Sequence, residues 1–139
     1  METWKHILMS FILAALFYPF YKLNILWIIA GGVLIDIDHY LWYAFRFKRY
    51  GLKECHHYCA VTTTNDNWKH ITGSLFIFHN VEFLVLASVL SFYSAPALIF
   101  TVGLLPHYAL DFIWHVRIKK PTHAISFFAW LLKSKIQKV

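Results

Sequence analysis

The sequence predicts an all-α integral membrane protein, with four transmembrane helices and a C-terminal helix that lies in the interface or re-enters it. Three observations carry this expectation. The 139-residue chain is 59% hydrophobic and only 14% charged, where a soluble domain has about a quarter of its residues charged. Four apolar stretches, at about 6–21, 25–45, 74–93 and 97–116, approach the roughly 20 residues that a helix needs to cross the hydrocarbon. The basic residues, finally, gather on one side of those stretches.

Each element follows in order. The first stretch begins after Lys5 and His6 and has no small-x-small cleavage site, so it reads as a retained helix and not a signal peptide. Lys22–Asn24 leads directly into the second, ILWIIAGGVLIDIDHYLWYAF, where Gly31 and Gly32 let a neighbouring helix approach closely. A basic loop over about 46–73 contains Cys55-His56-His57-Tyr58-Cys59. The third stretch is SLFIFHNVEFLVLASVLSF, and the fourth is ALIFTVGLLPHYALDFIWHV with Pro106 inside it. A shorter apolar stretch, about 122–132, precedes Lys133 and Lys135 and reads as the interfacial helix. No internal repeat or low-complexity linker divides residues 1–139, which makes one domain.

The formal charge of +6 matters less than its placement. In an up-down arrangement Lys5, Arg46, Lys48, Arg49, Lys53, Lys69, Arg117, Lys119, Lys120, Lys133, Lys135 and Lys138 flank one face, and Lys22 stands alone on the other. The positive-inside rule then places both termini and the basic loops in the cytoplasm, with the chain in the inner or plasma membrane. This asymmetry explains the basic balance without a nucleic-acid partner. It leaves the loops free to attract anionic lipid headgroups. Two cysteines in a cytoplasmic loop imply no disulfide framework.

Against this background seven polar side chains are out of place: Asp36, Asp38, His39, His79, Glu82, His107 and Asp111. Ionisable groups inside a bilayer are costly and mark function by default. Counting 1.5 Å per residue inward from the basic face, His39, His79 and Asp111 lie roughly 8–9 Å deep, and Asp36, Glu82 and His107 roughly 12–13 Å. Three helices therefore feed one layer. In ideal helices Asp36 and His39, His79 and Glu82, and His107 and Asp111 share faces as i,i+3 or i,i+4 pairs, with His115 continuing the last stripe. Asp38 points elsewhere unless the helix is distorted.

Mixed imidazole and carboxylate donors suit Zn²⁺ foremost, and Mn²⁺ or Fe²⁺ after it. Six or seven donors provide for one ion or two. Metal so held would generate a nucleophile from water at neutral pH and clamp the oxygens of a phosphoester, with Glu82 orienting that water or serving as general base. His6 at the interface, His70 in the loop and His115 are further candidate ligands.

At these residues the chain resembles the family of predicted membrane-bound metal-dependent hydrolases, whose bacterial members include SOS-regulated inner-membrane proteins. The matching residues are His6, then Asp36-Ile37-Asp38-His39, then His79-Asn80, then Gly103 to Asp111 with His107 between. Leu34-Ile35 replaces the family's Leu-Pro, and either His70 or His79 occupies its middle histidine position; depth favours His79. The His107-x-x-x-Asp111 element is similar, more weakly, to a metal-ligand pair of zinc-dependent phospholipase C and the P1-type nucleases. The first resemblance implies a metal-dependent hydrolase and the second phosphoester chemistry; the depth of the polar layer and the basic loops add the expectation of a lipid or other membrane-associated substrate at the cytoplasmic leaflet.

Blander readings stand beside these. His115 alone is a plausible helix–helix contact, Cys55–Cys59 an ordinary loop, and the tryptophans an interface belt. Competing functions are a metal or proton transport component and a b-type haem protein. The acidic neighbours of each histidine disfavour haem, and the confinement of the polar groups to one depth disfavours a conduit. A bundle this aromatic could also self-associate into a homo-oligomer.

Overall fold

The computed structural model describes residues 3–64, 74–118 and 125–136. They form α1 (Thr3–Tyr21), α2 (Leu26–Gly32), α3 (Ile37–Phe47), α4 (Leu52–Thr64), α5 (Val81–Leu90), α6 (Ala95–Ile118) and α7 (Phe127–Ile136). No strand occurs among the described residues, so the all-α expectation holds.

The chain reverses where lysine adopts the left-handed region. Lys22 (φ 46°) opens a 3-10 turn over Lys22–Ile25, and α2 folds back onto α1. Lys48 (φ 53°) ends α3 and returns the chain as α4. Such backbone is uncommon for a residue with a Cβ. Here a long cationic side chain stays at the surface on each reversal.

The second predicted helix is not continuous. It breaks between Gly32 and Ile37, where Val33 leaves helical geometry and Leu34–Asp36 forms a 3-10 turn. The Asp36 amide turns to the Val33 carbonyl (3.3 Å) instead of the Gly32 carbonyl four residues back. The third predicted helix is also shorter than its apolar run. Residues 74–76 are irregular, Ile77–His79 is a 3-10 turn, and α5 begins only at Val81. Asn80, in extended geometry, caps α5 by accepting the Phe83 amide (2.8 Å), as a helix N-cap should.

Glycines set the tightest helix approach. A Cβ on Gly31 would run into the Phe100 carbonyl oxygen, and one on Gly103 into the Ile28 carbonyl oxygen. The backbones of α2 and α6 therefore touch, with buried Ile28 and Leu104 beside them. Ile35, Ala87 and Leu104 form the core, flanked by Phe78, Phe83, Leu84, Phe100 and Tyr108. Thr101 ties α6 to α5 by donating to the Ala87 carbonyl (3.2 Å).

The expectation of four spanning helices is only partly met. Two helical stretches, Thr3–Phe47 and Ala95–Arg117, are long and apolar enough to cross a membrane. Val81–Leu90 is apolar but shorter, because the irregular segment and 3-10 turn before it take up the remaining residues.

Candidate metal centre

Four segments bring their imidazoles and carboxylates together: the first turns of α1 (His6), the break before α3 (Asp36, Asp38, His39), the 3-10 turn before α5 (His79) and the middle of α6 (His107, Asp111). His107 projects from α6 between Pro106 and Tyr108, one turn past Gly103. Because Gly103 and Gly31 allow α2 so close, His107 Nδ1 lies 2.8 Å from the Gly32 carbonyl oxygen. That carbonyl is available because the helix break has turned its usual donor, the Asp36 amide, elsewhere.

His79 is held from the other side. Its Nδ1 lies 3.0 Å from Asp38 Oδ2, which also accepts the Phe78 amide (2.9 Å). The irregular backbone is completed by Tyr108, whose hydroxyl lies 2.7 Å from the Phe78 carbonyl and 2.9 Å from that of Asn80. Val81 donates to the Ile125 carbonyl (2.9 Å). Non-helical backbone survives inside an apolar bundle only when its polar groups are met in this way.

These contacts dictate the chemistry of the centre. An Nδ1 facing a carbonyl or carboxylate oxygen must carry the proton, so in the neutral imidazole Nε2 is a bare acceptor. The Nε2 atoms of His79 and His107 nevertheless stand 3.2 Å apart. Two more acceptors join them. Asp36 Oδ1 is 3.2 Å from His79 Nε2 and 3.6 Å from His107 Nε2. Asp111 Oδ2 lies at 3.7 and 3.3 Å from the same two nitrogens. Each carboxylate oxygen thus faces both nitrogens, so acceptor meets acceptor at the centre. A proton on one imidazole relieves part of this; a divalent cation relieves all of it.

The spacing fits such a cation. Four ligands in a tetrahedron at about 2.0–2.1 Å from Zn²⁺ stand about 3.4 Å from one another. Among the described residues three groups could hold an ion: Asp36 with His79 and His107; His6 with His107 and Asp111; and Asp38 with His39 and His79. They are fused through shared residues into one cluster.

His6, expected at the interface, is buried. Its ring stacks on His107 with centroids 3.7 Å apart, and its Nε2 is 3.4 Å from Asp111 Oδ1. Its Nδ1 is enclosed with no hydrogen-bond partner among the described residues, another sign of a polar centre built for a group beyond the chain. The cluster opens at Asp36, Asp111 and His39, whose side chains keep 26%, 19% and 29% of their exposure, whereas those of Asp38, His79 and His107 keep 7%, 3% and 0%.

Other sequence candidates lie elsewhere. Glu82 is not part of the cluster, which corrects its assignment as general base. Its carboxylate accepts the Ser126 hydroxyl and the amides of Phe127 and Phe128, so it caps α7. The expected His79–Glu82 stripe fails because His79 precedes the helix that carries Glu82. His115 belongs to none of the three groups, and His70 lies outside the described residues.

The Cys55–Cys59 segment is part of α4 and joins none of those groups either. Cys55 Sγ sits 3.9 Å from the His39 carbonyl. Burial pushes its thiol pKa up. Burial, with Cys55 alongside, pushes that of Cys59 up to about 12.

No family model matches the chain, and neither does any curated protein or solved structure.

Proposed function

We propose that the protein is a membrane-embedded metal-dependent hydrolase whose substrate is a lipid or other membrane-associated phosphoester reached from the cytoplasmic leaflet. The observation that carries this reading is the convergence of Asp36 Oδ1, His79 Nε2 and His107 Nε2 at 3.2–3.6 Å from one another, close to tetrahedral ligand spacing, with Asp111 Oδ2 at 3.3 and 3.7 Å from the same two nitrogens. Two imidazoles and two carboxylates suit Zn²⁺, with Mn²⁺ and Fe²⁺ next. A divalent ion bound there supplies Lewis acidity and brings the pKa of water towards neutrality.

The chain's own residues do the rest. The Gly32 carbonyl and Asp38 orient the rings of His107 and His79, so that no reorganisation is needed when a ligand arrives. The partly exposed Asp36, Asp111 and His39 form the approach. Leu34 and Ile37 beside them, and Phe112 next to Asp111, are largely exposed apolar side chains, an arrangement suited to a substrate held by lipid.

Membrane embedding rests on related features. The Thr3–Phe47 stretch doubles back at Lys22, so its length serves two passes and not one. Phe20, Leu23, Phe45 and Phe92 are among the many large apolar side chains left exposed, far beyond what a soluble surface carries as scattered residues. Arg46, Lys48, Arg49 and Lys53 crowd the reversal after α3, where they would meet anionic headgroups.

One observation favours a second reading. His6, Asp111, His107, Asp36, His79, Asp38 and His39 follow one another as alternating base and acid at 2.9–3.6 Å, a pattern proton paths also use. Two measurements separate the readings. The hydrolase should bind about one to two Zn, Mn or Fe per chain, lose them in the His107→Ala/Asp111→Ala double variant, and release phosphate or alcohol from phosphoesters presented in vesicles. Vesicles that acidify or take up metal without ester turnover would favour transport. Full metal retention by the double variant would refute the site.

A further inference from the structure

The Asp36-Ile37-Asp38-His39 run reads as three adjacent ligands, but the fold divides it. The 3-10 turn ends at Asp36 and α3 starts at Ile37, so the two carboxylates reach opposite edges of the same imidazole. Asp36 Oδ1 faces His79 Nε2 (3.2 Å), and Asp38 Oδ2 faces His79 Nδ1 (3.0 Å). A carboxylate bonded to the rear nitrogen of a ligand imidazole stands behind the ring, away from an ion at its front. Asp38 is also fully engaged there. It takes the Phe78 amide (2.9 Å) on Oδ2 and His39 Nδ1 (2.9 Å) on Oδ1.

His39 is the second ring on this carboxylate. Its Nδ1 is committed to Asp38, which leaves Nε2 bare by the same tautomer logic. The ring is fixed between Phe76, stacked at 4.1 Å, and the edge of His79 at 4.5 Å. Its Nε2 has no hydrogen-bond partner among the described residues, and it is not enclosed as His6 Nδ1 is. The side chain is 29% exposed beside the partly open Asp36.

We infer that the motif splits by role: Asp36 is a ligand, Asp38 is a positioning residue shared by two imidazoles, and His39 stays off the metal, held by Asp38 with its Nε2 left as an acceptor. The inference rests on the metal centre proposed above but not on hydrolysis. A carboxylate behind a ligand histidine fixes ring and tautomer, and its loss typically weakens metal affinity 10–100-fold.

Cobalt(II) loaded into the full-length protein tests this, because its visible bands report the ligand set. Asp36→Asn should change the band pattern. Asp38→Asn should keep the wild-type pattern with cobalt bound about 10–100-fold more weakly. His39→Gln should keep both pattern and affinity.

A changed pattern in either Asp38→Asn or His39→Gln would make that residue a ligand and overturn the split. So would wild-type cobalt affinity in Asp38→Asn. If Asp38→Asn fails to fold, nitrogen NMR of the zinc-loaded wild type decides: His39 and His79 must both be Nδ1–H tautomers. Failure of the wild type to take up cobalt would remove the metal centre altogether. Cobalt uptake without ester turnover would remove only the hydrolase reading and leave the split standing.

Discussion

His107 Nδ1 and the Gly32 carbonyl oxygen are joined at 2.8 Å although 75 residues separate them in the chain. The bond needs a broken helix to free the carbonyl and a glycine contact to bring it near. It also turns His107 Nε2 towards Asp36, His79 and Asp111. Gly103→Ala tests this chain of dependence. A Cβ there meets the Ile28 backbone, which cannot yield as a side chain would. The expected cost is about 1–3 kcal/mol of stability, with zinc affinity reduced at least about tenfold by misplacement of the ring. Gly51→Ala, whose Cβ would meet only the flexible Glu54 side chain, is the control. Unchanged zinc affinity in Gly103→Ala would break the link between helix approach and site.

Removing the metal should destabilise the fold. Acceptors that face one another repel when nothing lies between them, and binding to the folded state alone contributes about 2.7 kcal/mol at a hundredfold excess over Kd. Chelation should therefore lower Tm, and zinc should restore it in proportion to the logarithm of its concentration. A Tm indifferent to chelator and to zinc would mean the cluster is satisfied by protons.

Tyr108→Phe removes the hydroxyl that meets the Phe78 and Asn80 carbonyls. Leaving buried acceptors unmet costs about 1–3 kcal/mol. Hydrogen exchange should accelerate over residues 78–84 ahead of α6. Uniform exchange across both would show that this hydroxyl does not secure the segment.

Glu82→Ala should leave zinc content untouched. It should loosen α7, whose first amides lose their acceptor, and make that helix more sensitive to limited proteolysis. Stoichiometric zinc loss would return Glu82 to the centre.

The thiols of α4 carry a pH signature. The fold raises the pKa of Cys59 from 9.0 to about 12 because burial disfavours the thiolate. The folded state thus holds its proton more tightly than the unfolded state. This contribution to stability is fully present below pH 9 and is lost as pH rises towards 12. Alkylation of the native protein at pH 8 should be slow and should accelerate on unfolding, and Cys59→Ser should flatten the alkaline fall in Tm. Rapid native alkylation of both cysteines at pH 8 would contradict the burial.

Much of the centre was legible from the chain. Ionisable residues in apolar runs are so costly that their positions alone pointed to Asp36, His39, His79, His107 and Asp111, and helical rise put them at one depth. His6 was harder to place, since a histidine near a helix start is equally at home in water, and only its stacking on His107 brings it inside. Glu82 misled because an apolar run was taken as one helix. Composition cannot distinguish an extended buried segment from a helical one, and the shift of the α5 start to Val81 changed which way Glu82 faces.

The sequence by itself determined the all-α class, the apolar stretches and the identity of the donors, since these depend on composition and local periodicity. The tertiary structure decided which edge of each imidazole is bare, because that depends on acceptors brought from distant segments: the Gly32 carbonyl for His107 and Asp38 for His79. It also decided where helices break. A break inside an apolar bundle persists only where neighbours meet its freed backbone groups, as His107 does for Gly32 and Tyr108 does for Phe78.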